Sequence, residues 1–340
     1  MKNKLFIFTN EKISFKEGNF NCDNIDIKNT PEGLNKKFEI ILFGRKSKKK
    51  RSHEIKLKRI ILFSNILSYI FYIFKFINEK NSKFLIISIT PYTFIVSLIL
   101  RLYGKKPIVY LRSDGYGEYK AILGKIGQLI YHLMFNIVCS FSNLISFGDH
   151  ILRGKKGKII IPSQLDSVWL KKPKNQEIKN FKLLYVGRFK IEKGVFSLLN
   201  MVQNKKDISL TIVGAEQGVS TNRNQSNVKI LGIEKNKHKL IKHYDNHNIF
   251  ILPSFTEGYG MVILEALSRR LPVIIFEDIK HIVGNKKGIF VAKRNFVSLL
   301  ETLKHIKKNY KIIQKEMRGN KLPTNKEYIN NFLKYIDDFK

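Results

Sequence analysis

Short apolar runs of strand length alternate with longer helix-like stretches through nearly all of the 340 residues, and this alternation constrains the fold more than any other feature. The runs KLFIFT (4–9), FEIILF (38–43), FLIIS (84–88), PIVYL (107–111), LISF (144–147) and KIIIP (158–162) predict strands, and the stretches from 57, 92 and 119 predict helices. A polar segment, SVWLKKPKNQEIKN (167–180), reads as a linker. A second series follows it: FKLLYVG (181–187), SLTIVG (209–214), VKILG (228–232), NIFILP (248–253), LPVIIF (271–276) and GIFVA (288–292). The pattern predicts an α/β protein of two doubly wound, Rossmann-like domains. Their expected bounds are 1–165 and 166–340, the latter ending in lysine-rich helices from about Asn295. A ligand between two such domains sits at the carboxyl ends of both sheets, in a central cleft.

The net charge of +35 makes a positive potential that attracts nucleic acid, anionic lipid or phosphorylated substrates without choosing among them. Abundant lysine, asparagine and isoleucine also fit an AT-rich coding bias acting on tolerant surface positions. No recognition helix or aromatic-interleaved basic motif favours nucleic acid. Cys22 and Cys139 make no disulfide framework, which fits a reducing cytosol. The start MKNKLFIFTN reads as a first strand, not a secretory leader. Residues 60–77 form a membrane-like apolar stretch broken by Asn65 and Lys75, short for a span and better read as a helix on the sheet. Its basic neighbour FGRKSKKKRSHEIKLKR (43–59) makes residues 43–77 a candidate contact with an anionic membrane surface.

Two stretches carry chemistry. In VGRFKIEKGVFSLL (186–199) a strand stops at Gly187, and Arg188 and Lys193 lie beside the start of a helix. Two cations at a helix amino terminus make a diphosphate clamp, because the free amides already favour negative charge. In SFTEGYGMVILEALSRRLPVI (254–274) a strand ends in a Gly-Tyr-Gly turn that opens a helix, with Glu257 before the turn and Glu265 inside the helix. The glycines allow close approach of backbone amides to a ligand, and the carboxylates accept hydrogen bonds from hydroxyl groups, as acidic residues do for a ribose diol. Phosphate clamp and hydroxyl acceptors together describe a nucleotide-sugar site.

With VGRFKIEKG, TIVGAEQG (211–218) and LPSFTEGYGMVILEALSRRLPVI in this order, residues 180 to 295 resemble the carboxyl-terminal domain of the GT-B glycosyltransferases of family 4, the glycosyl transferases group 1. The Glu257 to Glu265 spacing is the most specific mark. The resemblance implies that Arg188 and Lys193 bind the donor diphosphate and stabilise the departing nucleotide. It implies that Glu257 contacts the transferred sugar and that Glu265 holds the ribose. Gly187, Gly214, Gly258, Tyr259, Gly260, Met261 and Val262 complete the implied donor site. It further implies retention of anomeric configuration, no metal and no cofactor, with a nucleotide diphosphate sugar as co-substrate.

Several positions depart from the family pattern. RRLPVI carries Arg270 and Leu271 where a glycine commonly precedes the proline, and the hinge reads SQLD (163–166). EGNFNCDN (17–24) is the nearest candidate for an amino-terminal glycine-rich loop. YLRSDGYGEY (110–119) has no histidine, but Arg112 and Asp114 end a strand there and are acceptor-side candidates, with Asp114 alternatively capping the next turn. His238, His243 and His247 read as a solvated face, not metal ligands. The resulting expectation is a UDP- or GDP-sugar-dependent transferase that acts on a glycan or lipid-linked glycan, in cell-surface polysaccharide or lipopolysaccharide synthesis. It is expected in the cytoplasm, peripheral on the inner face of the membrane. The rivals are a polyanion-binding protein and a catalytically silent GT-B scaffold.

Overall fold

Continuous apolar runs become central parallel strands because both of their faces are covered. The computed structural model describes residues 2–171, 173, 178–215 and 227–339. It divides into unit 1, Met1–Pro162 with Lys326–Lys340, and unit 2, Ser163–Asn325. The amino-terminal elements are β1 (Lys4–Lys16), β2 (Asn19–Cys22), α1 (Ile25–Leu34), β3 (Glu39–Lys46), β4 (His53–Ile55), β5 (Arg59–Phe63) and α2 (Ile66–Phe76). Then come β6 (Ser82–Ile87), α3 (Pro91–Leu102), β7 (Ile108–Leu111), α4 (Gly115–Phe141), β8 (Asn143–Ser146), α5 (Asp149–Leu152) and β9 (Lys158–Ile159). Unit 2 runs β10 (Phe181–Val186), α6 (Val195–Val202), β11 (Ile208–Ala215), β12 (Val228–Gly232), α7 (Lys237–Asp245) and β13 (Ile249–Leu252). It continues with α8 (Met261–Ser268), β14 (Val273–Phe276), β15 (Ile289–Ala292) and α9 (Phe296–Met317), before α10 (Asn325–Asp338) closes the chain.

In unit 1, β1 lies between β3 and β6, and the parallel ladder continues through β7, β8 and β9 on one side and β5 on the other. One face of this sheet packs on α1 and α10, where Ile27 and Leu34 meet Tyr328, Ile329 and Phe332. On β1 the side chains alternate: Leu5 and Ile7 enter that cluster, whereas Phe6 and Phe8 stack with Phe43 and Phe84.

Three expectations change here. The region from 57 begins with a strand: Ile60–Phe63 pair with Leu42–Arg45, and the helix starts only after Asn65, whose side chain accepts from the Ser68 N–H in a capping box. Residues 17–24 are not a glycine-rich loop before a helix. Glu17 and Gly18 make a positive-φ hairpin turn between β1 and β2, and Asn24 caps α1. Finally, the division falls at Pro162, and Lys326–Lys340 return to unit 1 instead of closing the second domain.

Unit 2 has the strand order β12-β11-β10-β13-β14-β15, parallel throughout among the described residues. From β10 the chain winds outward to β12, then returns to lay β13 against the other side of β10. That reversal is the topological switch point, where open α/β sheets leave a crevice at the strand carboxyl ends. Arg269, 5% exposed, holds the end of α8 by two bonds to Asp245 and two to the carbonyls of Trp169 and Lys171.

The Arg270 departure has a conformational reading. The Arg270 N–H bonds to the Leu267 carbonyl and the Leu271 N–H to the Ala266 carbonyl, which is the Schellman ending of a helix. Arg270 takes φ 55°, a conformation that favours glycine, while Leu271 is fully buried behind it. Arg270→Gly is therefore expected to stabilise the chain by about 0.5–1 kcal/mol, read as a higher urea midpoint at unchanged slope.

Candidate donor site

The site of unit 2 is built from the loops that follow β10 and β13, the two strands at the switch point. Gly187 ends β10 and donates its N–H to the Val213 carbonyl (2.9 Å). A Cβ on Gly214 would lie 2.3 Å from the Gly187 carbonyl oxygen, so Gly214 must be glycine for the two strand ends to touch, whereas a Cβ on Gly187 would meet the Tyr185 hydroxyl at 2.6 Å. The Tyr185 hydroxyl donates to the Arg188 carbonyl (2.9 Å), fixing the turn that leaves the Arg188 side chain exposed. One 3-10 turn, Ile191–Lys193, leads into Gly194 and α6.

Gly194 decides the geometry. At φ 66° it sits so close to the Pro253 carbonyl that a Cβ would lie 1.8 Å from the oxygen. The Phe255 N–H donates to the Glu192 carbonyl (3.1 Å) across the same contact. These approaches bring Lys193 Nζ to 2.6 Å from Glu257 Oε1, and the Ser254 hydroxyl donates to the same oxygen (2.8 Å). Both charged side chains are mostly buried, at 18% and 12% exposure, so the pair is shielded from the screening that weakens surface ion pairs. His281 Nε2 faces the Glu257 carbonyl at 3.1 Å, a contact that requires the ring to donate.

After Glu257, Gly260 adopts a left-handed conformation (φ 64°, ψ 58°) and starts α8 with no side-chain cap. The first amides of α8, including those of Met261 and Val262, are thus without a capping side chain, in the arrangement that suits an anion. Gly258, Tyr259, Met261 and Val262 are all half-buried along this turn. Glu265 lies further along α8 and accepts from the hydroxyl of the fully buried Tyr244 (2.7 Å). Burial pushes the Glu265 carboxyl up to about 7, against the opposing pull of the Tyr244 bond.

Two groups went unnoticed in the sequence. Arg294 donates to the carbonyls of Pro253 (2.8 Å) and Ser254 (3.1 Å), pairs with Asp278 at 2.6 Å and stacks over Phe255 and Phe276. It clamps the loop that carries Glu257. Lys286 lies 5.6 Å from the Tyr259 ring centroid, and burial lowers its pKa. Neither position stands out in a chain with 62 lysines and arginines. The TIVGAEQG motif is described only to Ala215, and its remaining residues lie outside the described ones.

The acceptor-side candidates belong to unit 1. Asp114 occupies the position before α4, yet its side chain makes no capping bond and lies against Gly117, where a Cβ would be 2.7 Å from Oδ2. Arg112 has its Nε buried without a hydrogen-bond partner. Its charge pulls against the burial that raises the pKa of Asp26. Asp26 itself, 2% exposed, accepts from Thr30 (2.9 Å) and Tyr328 (3.3 Å), a network absent from the sequence reading. The histidines separate from the expectation at one position. His247 is half-buried, with Nδ1 on the His243 carbonyl (2.6 Å) and Nε2 on the Thr211 hydroxyl (2.8 Å), so it ties the end of α7 to β11. Among the described residues, no group of three histidine, cysteine or acidic side chains could hold a metal.

Glu265 also gives a signed pH dependence. Between the ordinary carboxylate range and about pH 7 the native state keeps a proton that the unfolded chain has released, so stability falls as pH rises through that window. In Glu265→Gln that component disappears. Melting temperatures recorded from pH 5 to 8 should decline less steeply for the variant than for the natural sequence.

Comparison with known proteins agrees with this geometry. Residues 168–321 match the family model described as glycosyl transferases group 1. The capsular polysaccharide biosynthesis glycosyltransferase CapM of Staphylococcus aureus is 25% identical over 293 residues, covering 75% of each chain. Among solved structures, sucrose-phosphate synthase from Thermosynechococcus elongatus superposes with a TM-score of 0.71 at 15% identity, over 99% of both chains. Anabaena HepE in complex with UDP gives 0.66 at 12% identity, over the full length of both.

Proposed function

Starting from a GT-B fold whose residues 168–321 form a glycosyl transferases group 1 domain, we propose that this enzyme moves a sugar from a nucleoside diphosphate donor to a hydroxyl of a glycan or lipid-linked glycan. The observation that carries the reading is the Lys193–Glu257 pair, held at the switch point beside an uncapped helix amino terminus. A diphosphate sugar has the two kinds of group such a site accepts, anionic oxygens and hydroxyls.

In this reading the bond between the anomeric carbon and the diphosphate oxygen breaks with its electron pair left on the phosphate, the acceptor hydroxyl oxygen forms the new bond to that carbon, and the hydroxyl proton passes to the departing diphosphate. Lys193 and the exposed Arg188 offset the charge that develops there, in the role a metal ion plays in other transferases. The amides from Gly258 to Val262 take further phosphate oxygens. Glu257 accepts from hydroxyls of the transferred sugar, and Glu265 from the ribose diol. Gly187 and Gly214 leave room for the ligand at the strand ends. UDP in the HepE complex supports a nucleoside diphosphate as the carrier here, and the base proposed is uridine or guanosine. CapM supports surface polysaccharide as the product class.

The finer features are part of the same proposal. Transfer retains the anomeric configuration and needs no metal or cofactor, in keeping with family 4. The acceptor is a growing surface glycan or lipopolysaccharide, met by a cytoplasmic enzyme on the inner face of a bacterial membrane. Arg112 and Asp114 orient its hydroxyl from the amino-terminal domain.

Thermal shift against a panel of UDP, GDP, ADP, CMP and their sugars tests the donor half. One nucleoside diphosphate is expected to raise the melting temperature, and Arg188→Ala and Glu265→Ala are each expected to weaken that ligand by tenfold or more. Stabilisation that both variants leave intact, or no stabilisation by any nucleotide, would sink the assignment.

A further inference from the structure

Helix α4 carries two apolar faces, only one of which is used by the fold. Gly127, Tyr131, Met134, Phe135 and Val138 form the buried face. On the opposite side Ile126, Leu129, Leu133 and Ile137 recur at helical spacing and are 42–71% exposed. A core helix of a soluble domain would bury such residues, and an ordinary surface helix would replace them with polar ones. An unbroken span is excluded by Gly124, whose φ 63° and ψ −148° break the helix. The run from Lys125 to Phe141 is shorter than the roughly 20 residues a span needs.

Other helices of the same unit also expose apolar side chains. Helix α2 exposes Leu67, Phe71 and Phe74. Phe74 meets Tyr103 edge to face at a centroid distance of 5.8 Å, beside Leu102, which is 82% exposed. Exposed apolar side chains gathered along one helix face, as on α4, mark an interaction site.

Charge identifies the occupant. Glu118 is the one acidic residue of α4, whereas Lys120 and Lys125 are exposed on its first half. At its far end Lys155, Lys156 and Lys158 surround a cavity with Cys139 and Ser142, and at its start the Arg153 guanidinium stacks on Tyr116 at 3.8 Å. A second copy of the chain would bring the same basic rim against this one, in a molecule already at +35. An anionic bilayer offers acyl chains to the stripe and headgroups to the rim. We infer that the exposed face of α4 is the surface on which this protein lies in the plane of an anionic membrane. This deepens the proposed function by naming where a lipid-linked acceptor is met, and it rests on that reading only for the acceptor.

The experiment is co-sedimentation of the full chain with vesicles of phosphatidylcholine alone and with 30% phosphatidylglycerol, beside the nucleotide thermal-shift assay. Binding to the anionic vesicles is expected, at least tenfold weaker in Ile126→Glu/Leu133→Glu and weaker in 0.5 M salt. Nucleotide stabilisation should be unchanged in that variant, which separates loss of this surface from loss of the donor site. Lys120→Glu/Lys125→Glu, which touches no apolar contact, should also lose preference for anionic vesicles and serves if the first variant misfolds. No sedimentation of the natural sequence, or equal binding by both double variants, would overturn the inference. So would a solution dimer that the Ile126→Glu/Leu133→Glu change dissociates without affecting vesicle binding.

Discussion

The candidate site of unit 2 depends on one backbone contact, the approach of Gly194 to the Pro253 carbonyl. No side chain can stand at Gly194 without forcing the loops after β10 and β13 apart. The contact places Lys193 on one loop within 2.6 Å of Glu257 on the other. Arg294 supports it from behind by taking the Pro253 and Ser254 carbonyls, and its own charge is balanced by Asp278. The resting pair then has a physical role. A cation held in a half-buried site by a single carboxylate is already oriented, and it has more to gain from an incoming dianionic group than from its monovalent partner.

The same loops show what a one-dimensional reading captures. The strands of unit 2 were legible because parallel strands covered on both faces read as apolar runs, and Val228–Gly232 match the expected run at both ends. Glu257, Lys193 and the Gly-Tyr-Gly turn were legible because strand, turn and helix follow each other within a few residues. Arg294 was not, because its partners Pro253 and Ser254 lie some forty positions away and it is one basic residue among many. Glu265 was legible as a carboxylate on the helix after the turn, but its elevated pKa comes from burial that the sequence does not show, and the Tyr244 hydroxyl, which reaches it from α7, pulls the other way.

Unit 1 was harder to read for a different reason. Ile60 to Ile77 is apolar almost throughout, and periodicity does not separate a buried strand from the helix that follows. The separator is Asn65, a capping residue that looked like an interruption of one helix. Likewise α10 has a clear apolar face, yet its pattern does not say which sheet receives it. Its Tyr328 joins Asp26 and Thr30, on the far side of the sequence, in a buried polar network that gives α10 a specific seat in unit 1.

These features divide the electrostatics of the protein into two regimes. In unit 2 two charge pairs are largely withdrawn from solvent, Lys193 with Glu257 and Arg269 with Asp245, while Arg188 stays exposed. Salt therefore has little leverage on them, and a ligand must compete directly for each group. Around α4 the lysines are exposed beside apolar side chains, where their effect is long-ranged and screened by salt. A single net charge of +35 thus conceals both a small set of directional contacts and a diffuse basic surface. Composition reports only their sum, so a change that lowers the total charge affects the paired contacts of unit 2 or the diffuse basic surface according to which regime loses the residue.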